Sequence, residues 1–85
     1  MKELEIGKVY RHFKGNYYLV VDIAIHSETK EQFVVYKSLY KDSKTYIRPL
    51  TMFLDKIDVH KQGNITGQEY RFVLDDTIIK DYTQL

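Results

Sequence analysis

From Tyr17 to Ile25 every odd position is apolar: Tyr17, Leu19, Val21, Ile23 and Ile25. Such alternation marks a strand with one face toward a core, and it predicts burial of the odd set. The even positions (Tyr18, Val20, Asp22, Ala24) form a mixed second face, which His26 extends. A shorter strand over Lys8–Phe13 comes before it, ended by the turn signal Lys14-Gly15-Asn16. After the polar stretch HSETKEQ, a third strand spans Phe33–Tyr40, where Val34, Tyr36, Ser38 and Tyr40 share an uncharged face. The tight turn KDSK leads into a fourth strand over Thr45–Arg48.

Pro49 suits the first turn of a helix, where a missing N–H costs nothing. Leu50, Phe53 and Leu54 follow at helical spacing and make one apolar stripe. Met52 lies off that stripe, as a gap filler. Leu50 and Phe53 are expected to pack against the odd residues of the second strand. Beyond Ile57 the signal weakens. Gly63-Asn64 and Gly67 mark turns, Gln68–Leu74 reads as a last strand, and 75–85 as an extra strand or a tail. Short strands, hairpin-length turns and one small helix predict a mainly β fold: a small, SH3-like, partly open antiparallel barrel.

Size and charge narrow the function classes. The 85 residues make one domain, near the lower limit for a chain that folds on a hydrophobic core alone. There is no cysteine, so neither disulfides nor thiolate metal sites add to that core. Twelve aromatics, eight of them tyrosine, must supply much of the buried area, and a homodimer interface is a second source. The longest uncharged apolar run, Tyr17–Val21, is far short of a membrane span. The first residues include Glu3 and Glu5 and no signal-peptide core, so the expectation is a cytoplasmic protein without membrane partners. Net charge is +1, but Lys8–Arg48 carries eight basic against four acidic side chains. That tilt suits an anionic ligand and is too small to favour nucleic acid.

Three groups carry candidate chemistry. Arg11, His12 and Lys14 lie around the first turn, with Arg11 on the opposite strand face from His12. Arg11 either packs over tyrosines and pairs with Asp22 or Glu28, or offers a planar fork to a carboxylate or phosphate. His26 and Glu28 share a face if the backbone stays extended, and a carboxylate beside an imidazole is an acid–base pair. Alternatively they belong to a loop held by local side-chain bonds to backbone amides. Tyr36 and Tyr40 share a face and Arg48 ends the next strand, an aromatic floor with an arginine at its edge. Metal binding through His12, His26 and Glu28 has no supporting ligand spacing. No phosphate-cradling glycine loop or nucleophile elbow is present, so no cofactor is expected.

Several segments together, YRHFKGNYY, AIHSET, VVYKSLY, IRPLTMF and YRF, resemble the small bacterial domain of unknown function family 1653. The resemblance spans about residues 7–72 and leaves 73–85 as an extension. It implies a small, mainly β, cytoplasmic bacterial domain and carries over no activity or site residue. The leading functional expectation is a binding module whose aromatic and basic groove (Arg11, His12, His26, Glu28, Tyr36, Tyr40, Arg48) takes a small anionic or nucleotide-like ligand or a peptide. A small hydrolase-type enzyme using His26 and Glu28 is the second reading. A protein-interaction or oligomerisation domain anchored by tyrosines is the third.

Overall fold

The computed structural model describes residues 3–40 and 43–75; the segment read as an extra strand or a tail lies, from residue 76 onward, outside the described residues. Five strands and one helical turn follow in the order β1 (Val9–His12), β2 (Tyr17–Ile25), β3 (Gln32–Ser38), β4 (Thr45–Pro49), α1 (Leu50–Phe53) and β5 (Phe72–Leu74). All neighbouring strands are antiparallel, in the sheet order β4-β3-β2-β1-β5. The sheet is not closed, and β4 and β5 are its two edges. Turn chemistry accounts for the first hairpin: Gly15 has φ +105°, and a Cβ there would meet Ile65 Cδ1 at 2.7 Å.

The register sets one inner face. Tyr18 pairs with Tyr10 and Ser38, Val20 with Tyr36, Tyr36 with Tyr46, Val34 with Arg48, and His12 with Phe72. Tyr10, Val20, Val34, Tyr36, Phe53 and Phe72 are buried together there, with Tyr18, Leu50 and Leu54 packed against them. The uncharged face read for β3 is thus the core face. Pro49 ends β4 with extended ψ and caps α1 from outside rather than entering it. The apolar stripe of α1 is as expected, and Phe53 is its fully buried member. Met52 stays exposed.

The expectation for β2 is overturned. Its buried residue is Val20, an even position, while Val21 is 46% and Ile25 61% exposed. A bulge at Val21 explains the inversion. The register jumps from Val20↔Tyr36 to Asp22↔Val35, so even positions face inward before it and odd ones after it. Asp22 Oδ1 accepts the Ile23 N–H at 2.7 Å beside this bulge, which gives a carboxylate in mid-strand a local structural role. Past the bulge β2 pairs with β3 alone.

Truncating Phe53 to alanine should therefore lower stability by roughly 3–5 kcal/mol, the range for a buried aromatic. Val21→Ser should change it by no more than about 0.5 kcal/mol, as at other surface sites. Urea unfolding of the two variants separates the observed face assignment from the alternating one.

Candidate binding site on the inner face

Where the curled sheet brings β1, β2, β4 and β5 together, rings meet edge to face. Tyr18 is central: its ring lies 5.4 Å from Tyr36, 5.7 Å from Phe72, 6.0 Å from Tyr40, 6.3 Å from His12 and 6.5 Å from Tyr46, each near perpendicular. Such geometry suits aromatic quadrupoles. The Tyr18 and Tyr40 hydroxyls are 3.2 Å apart. Burial, then this hydrogen bond and the neighbouring tyrosines Tyr40, Tyr36 and Tyr46, hold the Tyr18 phenol well above the usual range, so it stays protonated. Tyr40 and Tyr46 remain 39% and 40% exposed, forming the open side of the cluster.

Arg48 crosses this floor. Its Nε donates to the Tyr36 hydroxyl at 3.2 Å, and its guanidinium carbon sits 5.8 Å over the Phe72 ring. Among the described residues the ion pair is Arg71 with Asp55, at 3.0 Å, and Arg48 has no acidic partner. His12 lies 4.9 Å from Phe72. Its Nδ1 accepts the Lys14 N–H at 3.0 Å, so in the neutral ring Nε2 carries the proton and is a donor. Burial, and then Arg48, Arg71 and Lys14, lower the His12 pKa from 6.5 to about 4. Beneath the tyrosines, Ser38 is fully buried and its hydroxyl lacks a hydrogen-bond partner.

Of the seven residues read from the sequence, His12, Tyr36, Tyr40 and Arg48 come together here. Arg11 lies on the other face, where its Nε donates to the Gly15 carbonyl at 3.2 Å and its guanidinium covers the Tyr17 ring at 5.2 Å. His26 and Glu28 sit at the far hairpin, eight residues along β2 from Tyr18, or roughly 25 Å at strand rise. There His26 Nδ1 accepts the Glu28 and Thr29 amides at 3.1 and 3.2 Å, while Glu28 accepts the Ser27 hydroxyl at 3.4 Å. The two side chains shape a turn and are not hydrogen-bonded to each other. Tyr18, Tyr46 and Phe72 belong to the cluster and were not singled out. Tyr18 was hidden by the even–odd inversion, and Phe72 by a weakly patterned last strand.

The fold and its inner face define a small open-sheet β domain with an aromatic floor and an uncompensated arginine. The family model for the protein of unknown function DUF1653 matches residues 8–73, and the chain belongs to that family. It is similar to the crystal structure of a DUF1653 protein from Bordetella bronchiseptica. The two are 32% identical with a TM-score of 0.67, over 86% of this chain and 88% of that one. No curated protein matches the chain.

Two outcomes follow from the geometry. Because the unfolded His12 accepts a proton near pH 6.5 and the folded one only near 4, its contribution is absent above that window and destabilising within it. Stability should therefore fall as pH drops from 6.5 toward 4, with no further loss from this group below. The stability difference between wild type and His12→Asn, measured by urea unfolding across that range, should change with pH; a constant difference would rule out His12 as the source. Ser38→Ala, which deletes an unsatisfied buried hydroxyl, should be neutral or stabilising by about 1 kcal/mol in the same measurement.

Proposed function

We propose that this domain is a binding module whose inner face takes an anionic group, of a small or nucleotide-like ligand or of a peptide. One observation carries the reading: Arg48 is held over Phe72 and against the Tyr36 hydroxyl, with no carboxylate among the described residues to neutralise it. A guanidinium fixed by packing is preorganised for the planar oxygens of phosphate or carboxylate. The Nε2–H of neutral His12 supplies a second donor, and the exposed rings of Tyr40 and Tyr46 offer faces for a base or another flat group. The Tyr40 and Tyr46 side of the cluster is exposed to solvent, which favours binding over enclosure of a reacting substrate.

The test is titration of inorganic phosphate and of a nucleoside monophosphate into wild type, Arg48→Ala and His26→Ala. Wild type and His26→Ala should bind alike, more weakly as salt rises. Arg48→Ala should lose roughly tenfold or more in affinity, as expected for lost charge-assisted hydrogen bonds. Equal, negligible binding by wild type and Arg48→Ala would overturn the proposal.

A further inference from the structure

Arg48 and Tyr46 lie on β4, and among the described residues β4 has a neighbouring strand on one side only. The ladder with β3 decides which main-chain groups remain. The Ser38 N–H donates to the Lys44 carbonyl at 3.0 Å, opposite which the register continues as Tyr36↔Tyr46 and Val34↔Arg48. In an antiparallel pair the bonded positions alternate, so Lys44, Tyr46 and Arg48 turn their backbone toward β3. Thr45 and Ile47 turn theirs outward. Both are exposed, Ile47 to 64%. Over Thr45–Ile47 the edge is left open: no bulge interrupts Phe33–Lys37 against Thr45–Pro49, no side chain within Thr45–Ile47 is charged, and Pro49 blocks pairing only at the end of the strand.

Resting on the anion-binding reading of Arg48, we infer that the ligand is an extended peptide of alternating apolar and acidic residues, which adds to β4 as a sixth strand. The main-chain groups of Ile47 supply the pairing. Residues opposite Tyr46 and Arg48 share their inner face, where an acidic side chain reaches the uncompensated guanidinium. The residue opposite Ile47 shares the outer face with Ile47 and its cross-strand partner Val35, so an apolar β-branched side chain fits there. Backbone bonds then give affinity and alternate side chains give selectivity. A second copy of this chain fits less well. Antiparallel pairing of two β4 strands about Ile47 sets Thr45 against Pro49, which has no N–H to donate, and brings two arginines without acids to one joint.

The probe is acetyl-Val-Glu-Val-Glu-Val-amide, titrated calorimetrically and followed by amide shifts of the labelled protein, beside inorganic phosphate. Wild type should bind it with shifts at Thr45 and Ile47. Ile47→Pro removes an outward N–H that β3 does not use, so the sheet tolerates it. It should weaken the peptide roughly tenfold or more, for one or two net hydrogen bonds, and leave phosphate binding unchanged. The same peptide N-methylated at its central valine tests the pairing with the protein unaltered and should lose affinity likewise. Undiminished binding of the methylated peptide and by Ile47→Pro would overturn the inference, as would phosphate binding without peptide binding. Concentration-dependent self-association of wild type that Ile47→Pro abolishes would assign the edge to a second copy instead. Failure of phosphate and peptide alike would overturn the functional reading beneath it.

Discussion

The stack of Phe53 on Phe72, with ring centroids 3.9 Å apart and planes 5° from parallel, ties the helical turn after one edge strand to the strand at the other edge. Phe53 belongs to α1, which follows β4 directly; Phe72 opens β5, at the other edge of the sheet. β4 and β5 do not pair with each other, and this stack works beside the short bridge in which Arg71 and Ile57 donate their N–H groups to the Asp55 and Glu69 carbonyls. Tyr36 supports both rings, at 5.3 and 5.5 Å, and Tyr10 supports Phe53 at 5.5 Å. Aromatic pairs of this kind add roughly 0.5–1.5 kcal/mol each beyond their area burial. Their consequence here is also positional. Arg48 comes from one edge and His12 from beside the other, and both rest on Phe72. A core that failed to stack would leave neither near the other.

Charge is treated differently on the two sides of that core. Arg71 is closed off: Asp55 accepts its Nε and Nη2 at 3.0 and 3.4 Å, and the Asp55 carbonyl accepts its backbone N–H at 3.0 Å. Arg11 spends its guanidinium on a carbonyl and a tyrosine ring. Arg48 is equally ordered, yet its fixed neighbours are a hydroxyl and a ring, neither of which cancels its charge. The His12 pKa is lowered first by burial and then by Arg48, the largest of the charges that act on it.

Much of this architecture was legible in the sequence, and the failures have local causes. Strand positions, the helical turn after Pro49 and the core face of Val34, Tyr36 and Ser38 all follow from periodicity and turn chemistry. The face of β2 was misread because one extra residue at Val21 switches the inward set from even to odd, so the apolar alternation, unbroken through the bulge, marks the inner face only beyond it. Asp22 was the available signal, a carboxylate in mid-strand that accepts its neighbour's amide. His26 and Glu28 were drawn into the candidate site by their chemistry, whereas the length of the β2–β3 hairpin carries them away from it. Tyr36, Tyr40 and Arg48 were found because their spacing survives within β3, the next turn and β4. The clustering of His12 and Tyr18 with them depends on sheet curl, which no linear pattern encodes.

β4 joins these threads. Successive residues of one strand do separate jobs because their side chains and backbone groups alternate: Tyr46 and Arg48 furnish the inner face while Ile47 presents both an apolar side chain and outward main-chain groups. The Tyr36 hydroxyl accepts one of the Arg48 donors, and the remaining guanidinium N–H groups must turn to solvent or to an incoming acceptor. Water satisfies them at little cost, so the apo fold is stable without a carboxylate. An anion gains only what exceeds that hydration, so a lone small anion is held less tightly on an open face than in an enclosed one. Backbone pairing along the same strand adds binding energy without deepening that face, and it places the acid opposite the arginine by register rather than by enclosure. In a domain too small to surround its ligand, an edge strand beside an uncompensated charge is a physically economical way to be selective.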